Sequence, residues 1–263
     1  MDLQLKDRLA LVTGSTAGIG YAIAAALSAE GARTIVNGRG QTAVDQAVES
    51  IAAATGNAPL GFAGDLSRAA EAERLVKRFP ELDILVNNLG IFEPKAFEEI
   101  PDSDWERFFE VNVLTGIRLA RLYLPAMRRT NWGRIIFISS ESAVQIPLEM
   151  IHYGVTKTAL LAVSRGLAET VAGTGITVNC VLPGPTKSRG VNDFVDTLAK
   201  AEGTSFEQFE KQFFEKARPT SLIKRFASPQ EVASMVAYLA SPLASATTGA
   251  AVRVDGGVIK SAF

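Results

Sequence analysis

The run Arg8-Leu-Ala-Leu-Val-Thr-Gly14-Ser-Thr-Ala-Gly18-Ile-Gly20 decides the fold. A short apolar stretch ending in glycine reads as a strand, and the alanine-rich stretch that follows, through Glu30, reads as a helix. Strand, glycine turn and helix in that order let the backbone come close to a phosphate, with exposed N–H groups and the positive helix end around it. Gly14, Ser15, Thr16, Gly18, Ile19 and Gly20 are therefore candidate cofactor contacts. The spacing Gly-x3-Gly-x-Gly departs from the G-x-G-x-x-G fingerprint, and tight strand-to-helix packing would also account for the glycines.

Working outward, residues 33–39 read as a second strand whose end lies near the adenosine ribose of a dinucleotide bound at the glycine turn. An acid there would bind the free 2′-hydroxyl of NAD. Asn37, Gly38 and Arg39 offer instead room for a 2′-phosphate and a guanidinium to pair with it, so NADP(H) is favoured and NAD(H) remains admissible. Arg39 as a solvated loop residue is the simpler alternative. A strand at 59–63 leads to Asp65 and Leu66, where Asp65 either accepts from an adenine amino group or caps the next helix. A fourth strand ends in Asn87-Asn88-Leu89-Gly90, at the sheet edge where ligands bind.

Ser103-x-x-Glu106 reads as a capping box opening a helix through Glu110, resumed over 113–129 with Asn112 at the break. Asn112 marks either a kink that holds a water or an exposed position. Strands at 134–140 and 177–181 follow, the second running into Pro183-Gly184-Pro185-Thr186 at the same edge. Residues 187–226 lack strand patterning and carry Phe194, Phe206, Phe209, Phe213 and Phe214, which suits a helical lid over a pocket or an amphipathic packing insertion. Ser228-Pro229-Gln-Glu231 opens a helix to about Ala240, and a last strand spans 251–254.

Chemistry concentrates in Ser140-Glu-Ser-Ala-Val-Gln-Ile-Pro-Leu-Glu-Met-Ile-His-Tyr153-Gly-Val-Thr-Lys157. A helix starting near His152 puts Tyr153 and Lys157 on one face, one turn apart, with the ammonium beside the phenol. A cation there lowers a phenol from about 10 toward neutrality, and Ser140 adds a hydroxyl. Tyr-x3-Lys alone is commonplace in amphipathic helices. Its company, in one order along one α/β pattern, is what makes it a proton-transfer device.

The chain has 263 residues, 47% hydrophobic and 21% charged, which fits a single α/β domain. A formal net charge of −1 without Lys/Arg runs argues against nucleic acid, and a polar start with no apolar run near ~18 residues argues against a leader or membrane span. Single copies of Cys180 and His152 leave no disulfide and speak against a zinc site or a His-activated nucleophile, so no metal is expected and a reducing cytoplasm fits.

The ordered set Thr13-Gly14-x3-Gly18-x-Gly20, Asn87-Asn88-Leu89-Gly90, Asn112, Ser140, Tyr153-x3-Lys157 and Pro183-Gly184, with twelve residues between Ser140 and Tyr153, resembles the short-chain dehydrogenase/reductase family over nearly the whole chain. The resemblance implies a doubly wound, mainly parallel seven-stranded Rossmann sheet with helices on both faces. It also implies hydride transfer between nicotinamide and a small carbonyl or secondary alcohol. By position, Tyr153 would be the general acid, Ser140 would hold the substrate oxygen, Lys157 would bind the nicotinamide ribose and lower the tyrosine pKa, and Asn112 would hold a relay water. A homo-oligomer, dimer or tetramer, is expected through helices 113–129 and 153–172. Leu89 replaces the family's usual alanine and is expected to narrow the nicotinamide side. A catalytically silent dinucleotide-binding protein on the same fold is the competing class, since it would need only the glycine turn.

Overall fold

The computed structural model describes residues 2–187 and 205–262. Its strands are β1 (Leu9–Val12), β2 (Arg33–Gly38), β3 (Leu60–Ala63), β4 (Ile84–Asn87), β5 (Gly133–Ile138), β6 (Ile176–Pro183) and β7 (Ala251–Val254). They form one sheet in the order β3-β2-β1-β4-β5-β6-β7, every neighbouring pair parallel. The helices are α1 (Gly18–Ala29), α2 (Gln41–Thr55), α3 (Ala69–Arg78), α4 (Asp102–Phe109), α5 (Thr115–Thr130), α6 (Ile151–Thr170), α7 (Phe206–Lys216) and α8 (Pro229–Ala240).

Successive strand residues point to opposite faces, and here both faces are apolar because both are covered. Ala10, Val12, Val36, Val86 and Ile138 pack with α1, α2 and α8, whereas Leu11, Ile35, Leu85, Phe137 and Cys180 pack with α3, α5 and α6. This is why the strands read as continuous hydrophobic runs. Parallel pairing puts all seven carboxyl ends on one edge, and the order reverses between β1 and β4, the switch point where such sheets form a crevice.

Ser228 caps α8 with its reciprocal partner Glu231, as the sequence predicts. The box at Ser103 is not formed. Helix α4 begins two residues before the start a Ser103 cap would give, at Asp102 behind Pro101, so Ser103 sits inside the first turn and no side chain caps the helix. The break at Asn112 is real: Glu110–Leu114 is a π-turn joining α4 to α5. In the 187–226 segment, Phe194 lies outside the described residues. Beyond it, α7 folds Phe206, Phe209, Phe213 and Phe214 onto Phe226 in one aromatic cluster. No described helix is long and apolar enough to cross a membrane, and the described residues hold no His/Cys/Asp/Glu group able to bind a metal.

Candidate active site

The glycine turn is held by side chains that the strand ends deliver. Thr13 Oγ1 accepts from the N–H groups of Asn88 and Leu89, each at 2.9 Å, while Asn88 Nδ2 donates to the carbonyls of Thr13 and Gly14. Asn37, fully buried, receives the Gly14 N–H on Oδ1 and donates to the Phe62 and Gly64 carbonyls. Gly14 and Gly18 have φ of +60° and +58°, and a Cβ on Gly20 would lie 2.4 Å from the Gly14 oxygen. No side chain caps α1 at Ala17, so its first-turn N–H groups face outward without a side-chain acceptor. That uncapped, closely approachable helix start fits a dinucleotide pyrophosphate.

Other expected cofactor positions divide. Ile19, Asn88, Gly90, Pro183, Gly184 and Thr186 line a cleft of about 410 Å³. Arg39 is exposed past β2 and makes no ion pair among the described residues. Gly38 packs closely on the glycine turn, since a Cβ there would meet Thr16 Cγ2 at 2.5 Å. Asp65 closes a turn by accepting from the Ser67 N–H and hydroxyl, and the Leu66 side chain is in the core, leaving only its backbone for a ligand. Leu89 lies against Gly14, where an added Cβ would meet its Cα at 3.4 Å and its Cβ at 3.6 Å.

The opposite wall brings Ser140, Tyr153 and Lys157 together. Ser139 at the end of β5 donates to the Lys157 carbonyl at 2.7 Å, and Lys157 Nζ donates to the Ile138 carbonyl at 3.0 Å, so strand end and α6 are mutually fixed. Asn112 accepts from the Ile91 N–H and donates to the Ile91 carbonyl and Thr156 Oγ1. Gly90 lets these groups meet: a Cβ there would be 3.3 Å from Lys157 Nζ and 3.4 Å from Asn112 Oδ1. His152 is buried against Phe108 at the helix start, with burial lowering its pKa, and is not part of the cleft wall.

Lys157 lies on the same helix face as Tyr153, with its Nζ over the ring, 5.5 Å from the centroid. Burial foremost pushes the phenol well above its ordinary 10; hydrogen bonding from Ser140 pulls it down, the Glu141 charge raises it and the Arg218 charge lowers it. The Arg218 charge thus also acts on the phenol, and Lys157 is itself drawn down to about 8 by burial.

Glu141 and Arg218 are the residues that sequence reasoning missed. Glu141 is 4% exposed, and Arg218 Nε donates to its Oε1 at 2.9 Å while Nη1 lies 3.5 Å from Glu149 Oε1. An acid directly after the apolar β5 run was a signal for the first. Nothing in the sequence marked the second, which follows α7 and reaches 77 positions back along the chain.

A family model described as enoyl-(acyl carrier protein) reductase matches residues 14–259. The uncharacterized oxidoreductase YvaG of Bacillus subtilis is 47% identical over 264 residues, covering 100% of both chains. The D-beta-hydroxybutyrate dehydrogenase of Cupriavidus necator is 35% identical, over 96% of this chain and 98% of its own. L-sorbose reductase from Gluconobacter frateurii, solved with NADPH and L-sorbose, superposes with a TM-score of 0.93 at 34% identity, covering 99% of this chain and 100% of the other. With a uniformly parallel sheet, an uncapped glycine turn and a Ser-Tyr-Lys wall facing it, the chain belongs to the short-chain dehydrogenase/reductase family and is an NAD(P)-dependent oxidoreductase.

Proposed function

We propose that this enzyme interconverts a small carbonyl compound and its secondary alcohol, with Tyr153 as general acid in reduction and general base in oxidation. The observation that carries this is the convergence of Ser140, Tyr153 and Lys157 on one cleft whose other wall is the uncapped glycine turn. When bound, the nicotinamide dinucleotide supplies or accepts the hydride. Tyr153 moves the proton at the substrate oxygen, Ser140 holds that oxygen, and the Lys157 ammonium offers donors to the ribose. Asn112, braced on Ile91 and Thr156 beside Lys157, is placed to hold a water behind the lysine. Arrangement ahead of the reaction is what lowers the barrier, because the charge that develops on the substrate oxygen meets donors already in position.

NADP(H) is the favoured cofactor, since Arg39 past β2 makes no ion pair among the described residues and no acid stands at that strand end in the sequence. The cleft takes its apolar character from Ile91, Phe92, Met150, Phe209 and Phe213, which favours a carbonyl on an apolar or aromatic body. Of the expected lid segment 187–226, the described part from residue 205 on sets Phe209 and Phe213 of α7 against that cleft, as a lid of an otherwise single domain would. The protein works in the cytoplasm as a homo-oligomer. A concavity of about 580 Å³ between α5 and α6, lined by Ile117, Leu124, Pro125, Val163 and Leu167, is suited to a second copy's helices, and exposed Ala162 and Gly166 on α6 permit close approach. Consumption of NADPH and NADH over a panel of ketones, aldehydes and acyl thioesters tests the reading; no turnover with any of them, while the cofactor still binds, would favour the silent class.

A further inference from the structure

Glu141, Glu149 and Arg218 line the cleft, and the reaction above uses none of them to move hydride or proton. Glu141 is fully occupied. Its Oε2 receives the hydroxyls of Ser140 and Ser142 at 2.6 and 2.7 Å, and its Oε1 receives Arg218 Nε at 2.9 Å. Arg218 is held a second time, since Nη1 donates to the Ala217 carbonyl at 2.9 Å. Its Nη2 makes no hydrogen bond among the described residues and yet is not one of the enclosed atoms left without a partner, so its N–H groups keep access to open space. Glu149 is half exposed on the turn Leu148–Met150. Its Oε1 lies 3.5 Å from Arg218 Nη1, and its carboxylate accepts no hydrogen bond among the described residues.

An open donor beside an open acceptor matches one group above others. A hydroxyl accepts from Nη2 and donates to the Glu149 carboxylate. A methyl group leaves both without a partner, and a carboxylate brings a third negative charge to one guanidinium already facing two. We propose that Arg218 and Glu149 form a subsite for a hydroxyl next to the reacting carbonyl, which makes the substrates neutral hydroxy ketones and the corresponding diols rather than simple ketones or keto acids. The subsite adjoins the reacting atoms, because Glu141 joins Arg218 to Ser140 and the Arg218 charge is felt at the Tyr153 phenol. Ile91, Phe92 and Met150 remain for the apolar body of the substrate. The added hydroxyl is held and not consumed, so the reaction stays the one proposed above.

This inference rests on the assignment of Tyr153 and Ser140 to the substrate oxygen, and the experiment separates the two. Acetophenone, α-hydroxyacetophenone and benzoylformate carry a methyl, a hydroxymethyl and a carboxylate on the same aryl carbonyl. With NADPH, kcat/KM for the hydroxy ketone divided by that for the plain ketone should fall about tenfold or more in Arg218→Lys, which keeps Glu141 paired but brings a single nitrogen. The same ratio should fall roughly three- to tenfold in Glu149→Ala, while the keto acid gains on the hydroxy ketone. Comparing each ratio with that of wild type cancels the intrinsic reactivity of the compounds. A merely structural pair would lower all three rates in proportion, and unchanged ratios overturn the proposal. Should Arg218→Lys not fold, Glu149→Ala decides alone, because its side chain is half exposed. Should wild type reduce none of the three, melting of its NADP⁺ complex decides: phenylethanediol must raise the midpoint more than phenylethanol does, and equal shifts or none overturn the proposal. Turnover surviving in Tyr153→Phe would overturn the earlier assignment instead.

Discussion

The two walls of the cleft are built by different means. The cofactor wall is backbone: a glycine turn, an uncapped helix and neutral amides of Asn37 and Asn88 that hold loops in place. The substrate wall is side-chain charge: a buried lysine, a buried carboxylate and a guanidinium reaching in from a distant segment. A backbone cradle is cheap to keep folded, because each group has a neutral partner. Buried charges cost stability, and they persist where they set chemistry.

Four variants break or sharpen that contrast. Tyr153→Phe should lower kcat by about 10²- to 10⁴-fold, the range for a lost general acid, with cofactor affinity nearly unchanged when followed by NADPH fluorescence. Equal losses in both would mean that the walls are not separable. Lys157→Met should abolish useful turnover yet stabilise the cofactor-free protein at pH 7 by up to about 3 kcal/mol, from the fall from 10.5 to about 8 at 1.4 kcal/mol per tenfold. The sign follows from linkage. Below pH 8 the lysine is charged folded and unfolded, so the whole penalty is present; between 8 and 10.5 the unfolded chain holds more protons, wild-type stability rises with pH, and the advantage of the variant fades. Urea melts at pH 7 and 10 measure it.

On the other wall the effects are smaller. Gly20→Ala forces a methyl against the Gly14 oxygen and Asn88 Nδ2, and should cost roughly 1 to 3 kcal/mol of stability together with cofactor affinity, read by melting with and without NADPH. Arg39→Ala should lower the preference for NADPH over NADH, taken as the ratio of kcat/KM values, by about tenfold and leave stability alone. A ratio unchanged by the substitution would remove Arg39 from the cofactor site.

What was legible follows the same division. Strands covered on both faces announce themselves as apolar runs, and a turn that needs positive φ announces itself through glycine, so the strands and the cofactor edge could be read at Leu9–Gly20 and again at Ile84–Gly90. Tyr153 and Lys157 were legible because they share one helix face. The Ser103 box was misread because Pro101 already sets the start of α4, and a pattern of residue types does not say which candidate start wins. Helical spacing gave the face that Lys157 shares with Tyr153 and not where its end group comes to rest, over the ring and on the Ile138 carbonyl. The Glu141–Arg218 pair spans 77 positions and depends on how the segment after α7 folds back, which no local pattern encodes.

Cys180, in the middle of β6 and packed against the α3, α5 and α6 layer, has its thiol pushed up to about 12, chiefly by burial. A thiol so protonated and enclosed is inert toward disulfide and alkylating reagents in the native protein. As the only cysteine in the chain, it becomes a clock for opening of the central sheet: each labelling event counts one excursion in which β6 has parted from its covering helices, and the slowing of that clock by NADPH would measure how far cofactor binding suppresses such excursions.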